Sequence, residues 1–170
     1  MTSGDFLIKW SAYLLALIPI YIAEFCITCY LPVFGVIPML LPLAAVAVAV
    51  LEGSVAGAGY GLAVGILCDT MYPGVPGGWT IGLTLLGTLA GILAQYRLRQ
   101  NLAGCLLCAL LALGIIDLLR IASRLLRGSA SFSAMLAVAV PEILYSAVFV
   151  FPLYGLFLWI FIRVPKRTVL

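Results

Sequence analysis

The sequence predicts an all-α membrane protein, a single domain built as a bundle of six transmembrane helices. Three observations carry that reading. Of the 170 residues, 65% are apolar and only 9% charged, with a mean hydropathy of +1.27, whereas soluble domains run near 45–50% apolar and about 25% charged. About 110 apolar residues, at roughly 20 per span, make five or six helices. No stretch between the apolar runs exceeds about 15 residues, which excludes a large soluble catalytic or nucleic-acid-binding module on this chain.

The first span is expected over 10–30. Its apolar run is too long for a secretory signal and lacks a small-residue cleavage site, so it reads as a retained helix. The second and third, over 36–51 and 53–68, are short and joined only by Glu52-Gly53, which predicts a tight antiparallel hairpin. A count of five follows if these two do not both cross fully. The fourth covers 79–96 and the fifth 102–119. The sixth, 132–162, is long enough to tilt or kink, and Pro141 and Pro152 supply the places.

In a six-span arrangement Lys9, Arg97, Arg99, Arg163, Lys166 and Arg167 fall on one side. The excess of basic residues predicts that side, with both termini, to be cytoplasmic. Arg120, Arg124 and Arg127 are the exceptions. Their i, i+4, i+7 spacing places them on one face of a continued helix at the outer surface. They are candidates for lipid-phosphate contact or for anchoring a partner's acidic face.

The stretch EGSVAGAGYGLAVGILCD places Gly53, Gly57, Gly61, Gly65 and Asp69 four residues apart without a break. Such steps keep them on one slowly drifting helix stripe, and a small-xxx-small stripe in a bilayer lets another backbone approach closely. The fourth helix repeats the device with Gly78, Gly82, Gly87 and Gly91. The two helices are expected to pack on each other, and the same faces are candidates for docking a partner's helix.

Glu24, Asp69, Asp117 and Glu142 fall within or at the ends of apolar runs. A carboxylate at mid-membrane costs at least about 2.5 kcal/mol, so each is expected to face the interior, meet a partner or sit at an interface. Asp117 precedes Arg120 by three residues, a helical pairing distance. Glu24 and Glu142 have no basic residue adjacent in sequence, and no chain of ion pairs is expected for them. Structural hydrogen bonding and contact with a partner or substrate both stay open. Cys26-x-x-Cys29 and Cys105-x-x-Cys108 lie inside spans, where the spacing puts small apolar side chains on one face. A metal or redox site would need thiolates in a low dielectric with no cation nearby, and no metal or cofactor is expected.

Among function classes, enzymes fare poorly. The chain has no His, which removes hydrolase triads and HExxH zinc sites. An aspartyl dyad of Asp69 and Asp117 lacks the Asn neighbours of lipoprotein signal peptidases, the one Asn, Asn101, lying on the opposite side. A substrate-binding S-component of an energy-coupling-factor vitamin transporter suits the size of the bundle, and Ala12 and Ala16 match the AxxxA spacing those subunits carry in their first helix. Yet the outer loops are thin in aromatic and polar groups for a vitamin pocket.

A membrane scaffold is the third class. Pro32, Pro38 and Pro42 at the first connection precede the Gly53-to-Asp69 stripe and a glycine-bearing fourth span, Gly82 to Gly91. The last span then carries Pro141-Glu142-Ile143-Leu144-Tyr145-Ser146 and Pro152-Leu153-Tyr154. In this order of features the chain resembles the MreD family of rod-shape-determining membrane proteins, over essentially its whole length. The family usually has Asn where Ser146 stands, which weakens the polar role at that position. The resemblance implies the six-helix bundle shared with S-components and no catalysis. It also implies binding to MreC, linking the MreB filament inside to the RodA glycosyltransferase and its transpeptidase outside. It carries over no residue with a chemical role. The candidate interaction surfaces, from the residues themselves, are the glycine stripes, Pro141 to Tyr145, and the Arg120, Arg124, Arg127 face.

Overall fold

The structure, a computed structural model, describes residues 3–30, 37–72, 77–96, 101–126 and 132–163. All its regular elements are α-helices: α1 (Ser3–Tyr30), α2 (Leu40–Glu52), α3 (Ser54–Met71), α4 (Gly78–Tyr96), α5 (Leu102–Leu126) and α6 (Phe132–Arg163). Six helices occur in the expected order, and five, all except α2, are long and apolar enough to cross a membrane. The sequence-based bounds were short at several ends. α1 begins at Ser3 rather than 10, α3 runs on to Met71, and α5 continues to Leu126. The added stretches mix polar with apolar residues: SGDFLIK in α1, DTM in α3 and RIASRLL in α5. α6 stays helical through both Pro141 and Pro152.

α2 is the exception that organises the rest. Its 13 residues rise about 20 Å, well short of a hydrocarbon core about 30 Å thick. It also starts at Leu40, later than the expected 36. Every residue from Leu40 to Leu51 is buried, and LLPLAAVAVAVL, apolar on all sides, offers no face that needs water. Pro42 falls in the first turn, where its missing N–H would have had no intrahelical partner. α2 touches every other helix: α3 and α4 most extensively, then α6, α5 and α1.

The connection at Glu52-Gly53 is the tight antiparallel reversal expected. Gly53 sits at φ 97°, a left-handed conformation that side chains oppose, and its N–H closes α2 on the Ala49 carbonyl at 2.9 Å. Gly53 therefore caps α2 and also lies against Gly91 of α4, while the helical part of the stripe begins at Gly57. A side chain on Gly53 would also strike the Gln95 amide of α4.

α3 and α4 make the most extensive helix pair, and glycine is the cause. A Cβ on Gly57 would lie 2.5 Å from the Gly87 carbonyl oxygen and 2.6 Å from the Ala49 Cβ. One on Gly61 would strike the Leu83 carbonyl, one on Gly65 the Thr80 backbone, and one on Gly87 the Gly57 carbonyl. One on Gly91 would lie 2.5 Å from the Ser54 Cα. The helices thus meet backbone to backbone along their length, as small-xxx-small stripes allow. Gly82 departs from the expectation. Nothing lies within 4 Å of a Cβ placed there, because its five-residue offset from Gly87 turns it off the α3-facing stripe.

Candidate functional site

Polar side chains gather at the two ends of α2, and they were built there by five different helices. At the end where α1 starts, Lys9 pairs with the Glu52 carboxylate, and the Tyr13 hydroxyl donates to the other Glu52 oxygen at 2.8 Å. Tyr13 stacks on Phe157 of α6 with ring centroids 6.0 Å apart, and both rings meet Tyr60 of α3 edge-on. The Tyr60 hydroxyl donates to the Tyr13 carbonyl at 3.3 Å. This clasp ties α1, α2, α3 and α6 together.

The opposite end holds the candidate acidic residues. A helix begins with backbone N–H groups that lack intrahelical partners, and in α2 those groups are buried. Glu24 of α1 lies with no exposed surface and accepts the Leu41 N–H at 3.0 Å. Its second oxygen accepts the Tyr72 hydroxyl from the end of α3. Burial first, then the Glu24 charge beside it, push the Tyr72 phenol above its ordinary range, so it stays protonated and donates. Ser146 of α6, equally buried, accepts the Met39 N–H at 3.1 Å. A carboxylate placed at a helix N-terminus also meets the positive end of the helix dipole. Two helices thus supply the cap that α2 cannot supply for itself, since Met39 makes no side-chain cap bond.

Beside this cap lies a charged trio. Arg120 of α5 donates to Glu142 of α6 at 2.9 Å and to Asp117 one turn back at 3.3 Å. Asp117 and Glu142 are 6% and 9% exposed, while the Arg120 side chain keeps 33%. The Asp117–Arg120 pair was readable from its spacing. The Glu142 partner was not: the sequence shows no basic neighbour for Glu142, and the expectation that it lacks an ion pair is corrected. The two residues are 22 positions apart and meet because α5 and α6 run antiparallel. Arg124 follows Arg120 on α5 by one turn, and Arg127 lies outside the described residues, as do Arg97, Arg99, Lys166, Arg167 and Pro32.

Asp69 plays the same capping part for α4. It accepts the Trp79 and Thr80 N–H groups, both at 3.1 Å, and the Thr80 hydroxyl at 2.5 Å. The last position of the four-residue repeat is therefore a hydrogen-bond acceptor that fixes where α4 starts. Pro141 is half-buried within α6. Tyr145, one turn on, packs edge-on against Phe149 at 5.5 Å.

Every buried side-chain nitrogen or oxygen among the described residues has a hydrogen-bond partner within the chain. Cys105, Cys108 and Cys68 are buried and Cys26 and Cys29 exposed, all as free thiols. Among the described residues no three His, Cys, Asp or Glu side chains converge as metal ligands would. Outside these clusters an apolar groove of about 310 Å³ runs between α4 and α5, lined by residues including Trp79, Gly82, Leu86, Ile116 and Leu119. Gly78 and Gly82, both expected on the helix-packing stripe, line this groove.

Sequence reasoning missed Lys9, Tyr13 and Glu52 as one clasp, and Tyr72 and Ser146 as parts of the α2 cap. The available signal was α2 itself. A short helix, apolar on all sides, can be wholly enclosed, and an enclosed helix start needs acceptors from elsewhere. Comparison with known proteins finds no family model, no curated protein and no solved structure that matches the chain.

Proposed function

We propose that the chain is a non-catalytic scaffold of the bacterial cell-elongation machinery, of the MreD kind, set in the cytoplasmic membrane with both termini inside. In that role it binds MreC and helps couple the MreB filament to RodA and its transpeptidase, and so to peptidoglycan synthesis and cell shape. The observation that carries the reading is the use to which the polar residues are put. Glu142, Ser146 and Asp69, which belong to the motifs behind the family resemblance, hold Arg120, the start of α2 and the start of α4. Their chemistry is architectural, as a protein that works through its shape and its membrane-facing surfaces requires.

The glycines at 57, 61, 65, 87 and 91 are likewise engaged within the bundle. Partner contact then falls to the outer faces of the helices. α1 presents Leu15, Ile18, Ile22 and Phe25, each more than half exposed.

The test is to isolate the tagged full-length protein from its native membrane in mild detergent and identify what accompanies it. Co-purification of MreC, with RodA or its transpeptidase, is the expected result. Recovery of an ATPase-linked coupling subunit or a bound vitamin overturns the reading in favour of an S-component. Recovery of neither set from intact membranes also overturns it.

A further inference from the structure

We draw no further inference here: the strongest candidate, the apolar groove between α4 and α5 around Trp79, Gly82 and Ile116, is an unpartnered apolar face, and nothing in the structure shows what covers it.

Discussion

The α3–α4 pair and helix α1 both enclose α2, and they do so by opposite means. α3 and α4 meet through glycine, with carbonyl and Cα atoms where side chains would otherwise stand. α1 lies at the edge, with Leu14, Leu15, Ile18, Ile22 and Phe25 half or more exposed. It touches the bundle along a narrow line of Tyr13, Ala16, Leu17, Ile20 and Glu24. At its two ends that line becomes polar, through Lys9 and Tyr13 on Glu52 and through Glu24 on Leu41 and Tyr72. Where two helices can approach closely, many weak contacts add up along their length, and the α3–α4 pair needs polar contact only at one end, where Asp69 holds Trp79 and Thr80. Where helices cannot approach closely, a few hydrogen bonds in a setting that excludes water must hold position, and each then matters individually.

The contrast can be broken most severely on the glycine side. Gly57→Leu together with Gly61→Leu drives side chains into the Gly87 and Leu83 carbonyls. Overpacking of one site costs about 1–3 kcal/mol. Two sites in one backbone interface should lower the thermal midpoint in detergent more than any other variant considered, or abolish recovery of folded protein. A wild-type midpoint for the double variant would remove glycine packing as the cause of the α3–α4 contact.

Glu24→Ala is the next in size. It leaves the Leu41 N–H and the Tyr72 hydroxyl buried without an acceptor, at about 1–3 kcal/mol for unsatisfied groups. Because the loss falls on α1, limited proteolysis should cut near α1 first, while α3–α4 stays protected. Uniform loss of protection across the chain would show that α1 is not separately held. Glu24→Gln keeps an acceptor oxygen and should recover part of the difference.

Arg120→Ala removes the cation that Asp117 and Glu142 share. Arg120 is a third exposed, so the effect should be smaller than for a fully buried pair and lie near 1 kcal/mol. A double-mutant cycle of Arg120→Ala with Glu142→Gln, read by denaturation in detergent, should show coupling. Strict additivity of the two single effects would mean that the pair contributes nothing. Ser146→Ala should cost about 1 kcal/mol through loss of the Met39 acceptor, and Ser146→Thr should retain most of that bond if the extra methyl is accommodated. Gly82→Leu ranks last. With open space at its Cβ position it should leave the thermal midpoint nearly unchanged. A loss as large as that of Gly57→Leu with Gly61→Leu would place Gly82 back on the packing stripe.

The two modes of attachment were not equally legible in the sequence. The glycine stripe is a local pattern, so its four-residue spacing announced the α3–α4 contact before any fold was known. Gly82 departs because of its offset to Gly87, Gly78 lines the groove beside it, and Gly53 adds the cap of α2 to its place against Gln95 and Gly91 of α4. Helix number and order were likewise local, being set by the apolar runs. The polar clasps join residues between 17 and 107 positions apart. Nothing near Glu24 or Ser146 in the chain names a partner for either. What could be read was that 40–51 is short and apolar; once that stretch is enclosed, its first N–H groups require acceptors. Which side chains meet that need depends on how the helices are arranged around it.

The most direct measurement is carbene footprinting of the unmodified protein in a bilayer, using a photoreactive group carried on lipid acyl chains and read by mass spectrometry. The enclosed-helix account predicts heavy modification of Leu15, Ile18, Ile22 and Phe25 on α1 and none over 40–51. Modification spread across 40–51 at levels comparable to α1 would contradict it, since α2 would then face lipid and its capped start would not be interior.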